Sequence, residues 1–207
     1  MSAAPGSAPH AIRNVVFDIG WVLVSLRYRP LLDFLAAHGA RVGERDAVME
    51  HIQLEEHESG RMSGRGLLEQ LRALTRVPVT LEQVQARWLD MFELEPAMVE
   101  LAHRVSERRR VFLLSNIGDL HWAHLSREYR LHAIGEGALP SYLAGVMKPH
   151  AGIYVEAERR FALEPAATVF VDDRPENIAT ARARGWHGIV HRGYSDTVAR
   201  LQALGVG

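Results

Sequence analysis

Asp18, Ser115 with Asn116, and the pair Asp172 and Asp173 share one trait: each stands directly after a run of apolar residues (VVF, VFLL and TVFV). A short apolar run that stops at a polar residue reads as a buried strand entering a loop. Parallel strands set their carboxyl ends along one edge of a sheet, where ligands of such sheets bind. The three groups therefore converge, although 97 residues separate Asp18 from Ser115 and 57 separate Ser115 from Asp172. Lys148 joins them as a candidate because it is the one lysine among 24 basic residues. A compact ammonium on a flexible stem does work that a planar guanidinium cannot.

Such a set has a definite chemistry. Three gathered carboxylates repel one another unless a cation sits among them. All-oxygen donors suit Mg²⁺. The ion would draw in a phosphate, Lys148 would neutralise more of its charge, and Ser115 Oγ with the Asn116 backbone or amide would hydrogen-bond its oxygens. Asp18 would then attack phosphorus, giving an aspartyl-phosphate intermediate. Positioning and charge neutralisation are most of what phosphoryl transfer requires.

The elements that must position these residues follow from the pattern around them. Strands are predicted at 14–17, 110–114, 142–145, 168–171 and 188–191. Helices are predicted at 96–108, 119–130, 153–161 and 176–184. Strands alternating with helices imply a parallel sheet with helices on both faces. Between the first strand and residue 96 the texture is helical. Pro30 suits a first turn, a helix spans 44–58, Ser63 caps a third helix, and Thr80 with Gln83 forms a capping box for a fourth. The chain thus divides into a Rossmann-like doubly wound core (11–26 and 95–207) and an inserted helical bundle (27–94).

Composition narrows the classes of function. The chain has 207 residues, 47% of them hydrophobic, and a net charge of −1. A near-neutral balance argues against a nucleic-acid partner. No cysteine is present, which removes disulfides, thiolate zinc sites and cysteine nucleophiles and fits a reducing compartment. No apolar stretch reaches the ~20 residues of a membrane helix. Residues 1–10, MSAAPGSAPH, read as a disordered tail without the charged start and apolar centre of a secretory signal. A cytoplasmic protein without a membrane partner is expected.

The stretches VVFDIGWVLV, LLSN, MKP and FVDDRPENIATARARGW resemble, in order, the four motifs of the haloacid dehalogenase-like hydrolases, covering residues 14 to 191. Within that superfamily, FDIGWVLV, LSNIGDLH and HESGRMS are most similar to bacterial α-D-glucose-1-phosphate phosphatases, with the phosphatase domain of soluble epoxide hydrolases a more distant likeness. The resemblance implies Asp18 as nucleophile and metal ligand, and Ser115 with Asn116 as the phosphate binders. It implies Lys148 as the residue holding nucleophile and phosphate. Asp172 and Asp173 become the acidic pair at Mg²⁺, Asp173 being favoured as the direct ligand, and the helical insertion becomes a cap over small substrates. His57, Glu58 and Arg61 would then face the substrate from the cap.

One position departs from the pattern. The family's phosphatases carry a second aspartate two residues after the nucleophile, as general acid and base, and here that position is Gly20. Its carbonyl still serves as a metal ligand. His121 or Asp119 would replace the missing acid. The expected activity is Mg²⁺-dependent hydrolysis of a small phosphorylated metabolite, such as the sugar phosphate glucose 1-phosphate. The alternatives are a metal-independent 2-haloacid dehalogenase and, because of Gly20, a non-catalytic phospho-ligand binder.

Other features have plainer readings. His51 and His57 among Glu55, Glu56 and Glu58 read as an exposed charged helix end. His121 and His124 share one helix face. Trp21 is either core packing or a floor for a sugar ring.

Overall fold

The computed structural model describes residues 11–41 and 44–207. The tail expected at 1–10 lies outside them. In chain order, β1 (Asn14–Phe17) and β2 (Val24–Leu26) lead into five helices: α1 (Arg29–Ala37), α2 (Arg45–Met49), α3 (Leu54–Glu58), α4 (Gly64–Ala73) and α5 (Leu81–Leu89). Then come β3 (Phe92–Leu94), α6 (Pro96–Ser106), β4 (Arg110–Ser115) and α7 (Asp119–Glu128). The chain continues through β5 (Gly137–Pro140), α8 (Ser141–Ala144), α9 (Ala151–Phe161) and β6 (Thr168–Asp172). It finishes with α10 (Pro175–Ala183), β7 (His187–Val190) and α11 (Tyr194–Ala203).

Five strands form one parallel sheet in the order β5-β4-β1-β6-β7. It grows outward from β1 in both directions, so the crevice at the carboxyl end of β1 is where successive connections diverge, the usual ligand position in such sheets. The central strands read as unbroken apolar runs because both faces are covered. Val15, Phe17, Val111, Leu113, Val169 and Val171 pack on one side. Val16, Phe112, Leu114 and Phe170 pack on the other, against Ile153 and Tyr154 of α9 and Ile178 of α10. The first cluster continues without a break into the inserted helices, through Leu31, Leu67, Leu71 and Trp88.

Two expectations need correction. The edge strand falls at Gly137–Pro140, not 142–145, and residues 141–144 form α8. A proline ends that strand, which an edge tolerates because its outer side lacks a partner. The helix expected over 44–58 is two helices. His51 Nδ1 lies 2.6 Å from the Ala47 carbonyl and the Gln53 amide is drawn to Gln70 Oε1 at 2.8 Å, so side chains take over backbone groups a continuous helix would use. A further element has no counterpart in the sequence reading: β2 and β3 pair antiparallel, Ser25 opposite Glu93, and tie together both ends of the helical insertion. The capping box at Thr80 and Gln83 is present, and Ser63 caps α4. Among the described residues no helix is long and apolar enough to cross a membrane.

Candidate active site

β1 delivers Asp18, which continues the strand ladder through its amide to the Val171 carbonyl at 2.9 Å. β4 ends on Ser115, β6 ends on Asp172, and the loop between α8 and α9 brings in Lys148. The lysine is 3% exposed and spends its three donors on three acceptors. Its Nζ donates to Asp18 Oδ1 at 2.9 Å, to Asp172 Oδ2 at 2.6 Å and to the Leu114 carbonyl at 3.0 Å. A guanidinium offers no such compact tripod. Asn116 fixes the lysine's backbone at two points: its Nδ2 donates to the Lys148 carbonyl and its Oδ1 accepts from the Lys148 amide, both at 2.8 Å. Its side chain is therefore spent, which leaves the Asn116 backbone for a ligand.

Asp172 is fully buried. Besides Lys148 it accepts from the Arg174 amide at 2.8 Å and from Asn177 Nδ2 at 2.9 and 3.0 Å. Asp173, next in the chain, is half-buried. Asp18, Asp172 and Asp173 each offer an oxygen within 4.8 Å of the others, the one such group of metal-binding side chains among the described residues.

Three carboxylates share one ammonium, and the electrostatics follow. Burial pushes the Asp18 carboxyl up to about 7; Lys148 opposes this, Asp172 adds to it, and a hydrogen bond from Ser115 opposes it. Asp173 is raised by burial and then by Asp172. Burial alone would lower the Lys148 ammonium, but Asp18 and Asp172 outweigh it and hold it above its ordinary value. The site carries more negative charge than its own cation balances.

Beside Asp18 a cavity of about 70 Å³ is lined by Gly20, Glu58, Ser115, Asn116, Trp88 and His121, among others. Residues of the inserted helices, Glu58 and Trp88 among them, line one side of it. Ser141 Oγ donates to the Glu58 carbonyl at 2.5 Å and accepts from the Ile117 amide at 2.9 Å, which pins the end of α3 to the loop after β4. His57 is buried, not part of an exposed helix end, whereas His51 is exposed. A Cβ on Gly118 would lie 2.0 Å from His57 Nε2. Gly118 has an ordinary negative φ of −88°, so the demand for glycine there is purely steric. Gly118→Ala is expected to cost about 1–3 kcal/mol of folding stability by overpacking, readable by denaturant unfolding.

The expected substitutes for the missing acid are committed elsewhere. His121 stacks on Trp88 with ring centroids 4.6 Å apart, and its Nε2 lies 3.2 Å from the Trp88 carbonyl. Burial pushes its pKa down to about 3. Asp119 is bound to the Leu120 and Gly64 amides. His124 Nδ1 faces Arg127 at 3.5 Å, so it forms no metal pair with His121. Trp21 is half exposed, with a left-handed φ of 58°, and so is not core packing. Sequence reasoning missed Asn177 and Ser141. Asn177 had a signal, since it lies one helical turn into the segment following the acidic pair.

Residues 12–185 match the family model for haloacid dehalogenase-like hydrolases. The chain belongs to that family. A D-ribitol-5-phosphate phosphatase of Bacteroides thetaiotaomicron is 28% identical over 184 residues, 84% of this chain and 89% of its own. A HAD family enzyme from the same organism, crystallised as the wild-type protein with magnesium and inorganic phosphate, superposes with a TM-score of 0.77 at 23% identity. That match covers 87% of this chain and 94% of the other. A HAD-like family hydrolase from Porphyromonas gingivalis gives 0.74 at 26% identity, over 93% and 98%. The parallel five-stranded sheet is thus the haloacid dehalogenase-like fold, with Asp18 at the carboxyl end of its central strand.

Proposed function

We propose that this hydrolase is a Mg²⁺-dependent phosphatase of a small phosphorylated metabolite, with residues 27–94 acting as its cap. The observation that carries the reading is the junction of Asp18, Lys148 and Asp172 beside Asp173. It is supported by the phosphatase relative and by the magnesium and phosphate held in the structural neighbour.

The donor set fits the ion: all its groups are oxygens, and its negative charge exceeds what Lys148 balances. Asp18, Asp173 and the Gly20 carbonyl are the direct ligands in this reading. Asp172 stands behind them, because both its oxygens are already engaged by Lys148, Arg174 and Asn177. Such an orienting shell fixes ligands as firmly as the ligands fix a metal. Bound Mg²⁺ supplies charge neutralisation to the phosphate and favours the ionised form of Asp18. Lys148 and the Ile19 amide both hold Asp18 Oδ1, the latter at 2.6 Å. Asp18 Oδ2 is therefore the oxygen presented to phosphorus. The Ser115 hydroxyl and the backbone after it bind the phosphate oxygens, and Lys148 offsets charge that builds on the transferred group.

The cavity of about 70 Å³ is well below the ~300 Å³ of ordinary ligand pockets, so its volume suits a phosphate-sized group and not a whole sugar phosphate. D-ribitol 5-phosphate and α-D-glucose 1-phosphate are the first esters to assay, with p-nitrophenyl phosphate as a reporter. Phosphate release is expected in Mg²⁺ and its loss on chelation. Metal-independent chloride release from a 2-haloacid, or phosphate binding without turnover, would overturn the reading.

A further inference from the structure

Gly20 leaves the reaction without a proton carrier at the position where the family keeps one, and His121 and Asp119 are committed to other partners. Glu58 is not. It is the last residue of α3 and lines the cavity together with Gly20, Ser115 and Asn116. Its backbone is fixed from below by Ser141, which also holds Ile117 in the loop after Ser115. Its side chain takes part in no hydrogen bond or salt bridge among the described residues. The charged groups that reach it are Asp18, Lys148, Glu55 and Arg174. Burial, followed by the charge of Asp18, pushes its carboxyl up to about 8, with Lys148 opposing and Glu55 reinforcing. The direction of that shift favours a carboxyl able to carry a proton.

We propose that Glu58, reaching into the cavity from the inserted helices, is the general acid and base of this enzyme, supplying from the cap what Gly20 cannot. The proposal rests on the phosphatase reading. In the first half-reaction Asp18 Oδ2 bonds to phosphorus, the bond from phosphorus to the ester oxygen breaks, and the Glu58 proton passes to that oxygen. The products are the free alcohol, the aspartyl phosphate and a Glu58 carboxylate. In the second, this carboxylate takes a proton from water as the water oxygen bonds to phosphorus. The bond from phosphorus to Asp18 then breaks, releasing inorganic phosphate and restoring both side chains.

Leaving-group chemistry tests this. p-Nitrophenolate departs without a proton, whereas a sugar or alkyl alkoxide does not. With Glu58→Gln and p-nitrophenyl phosphate, a burst of about one nitrophenolate per protein is expected, then turnover about 10²- to 10⁴-fold below wild type. Intact-mass measurement should show one phosphoryl group retained on the protein. With an alkyl phosphate the same variant should give no burst and a comparable fall. Glu58→Asp, which keeps an acid on a shorter stem, should recover part of the alkyl-ester turnover. Wild-type turnover of the alkyl ester by Glu58→Gln overturns the proposal. So does equal loss of burst and steady state in a Glu58→Gln protein whose unfolding matches wild type. A wild-type protein without Mg²⁺-dependent hydrolysis would instead overturn the phosphatase reading.

Discussion

Asp18→Asn is expected to abolish Mg²⁺-dependent phosphate release, by about 10⁴-fold or more in kcat, while leaving the protein at least as stable as wild type. The first half follows from the nucleophile's place: Lys148 holds Asp18 through Oδ1 at 2.9 Å and leaves Oδ2 free, whereas both oxygens of Asp172 are engaged. The second half follows from linkage. An aspartate in an unfolded chain titrates near 3.8, and in the folded protein burial moves it to about 7. Between those values the native state binds more protons than the unfolded one, so this group makes stability fall as pH rises through the window. Removing its charge removes that slope. Thermal unfolding in chelator should therefore show Asp18→Asn above wild type at pH 7.5 and matching it near pH 4. A variant that retains turnover, or that unfolds earlier at pH 7.5, would contradict the assignment.

Lys148→Met has the opposite profile. Here too turnover should fall to background, but stability should fall with it. The substitution strands two buried carboxylates that share the ammonium at 2.9 and 2.6 Å. Breaking a buried pair by deleting one partner costs about 3–5 kcal/mol. The sign with pH is fixed by which groups remain. The lysine's folded pKa is raised, so its contribution is complete below its unfolded value and disappears only as pH climbs past the folded one. The deficit of the variant therefore persists across neutral pH. Denaturant unfolding at pH 7 reads this directly, and Lys148→Arg should also lose activity because a planar fork cannot meet three acceptors around one nitrogen.

The residues that were legible in the sequence are those placed by the sheet itself. Asp18, Ser115, Asp172 and Asp173 were found because strands buried on both faces are apolar to their last residue, so each end is a sharp boundary. Lys148 was found by its rarity. What escaped was set by distant neighbours. β2 and β3 have three residues each and exist because Ser25 meets Glu93 across the whole insertion; no local pattern announces that. The sequence leaves open whether Asn116 offers its amide or its backbone; the Lys148 backbone takes up both ends of the amide, which leaves the backbone. The resemblance sets Glu58 with His57 and Arg61 as facing the substrate from the cap, but nothing in that charged run singles it out from its neighbours. Its backbone is pinned by Ser141, a contact that spans 83 residues. The break in the helix over 44–58 likewise depends on Gln70, which lies in another helix.

The solitary lysine has a consequence for anyone handling the protein. Acylating labels, aldehyde fixatives and acetyl donors meet a single side-chain amine in this chain, and it lies 3% exposed behind two carboxylates. Modification of that amine becomes a clock for how often the fold lets go of its centre.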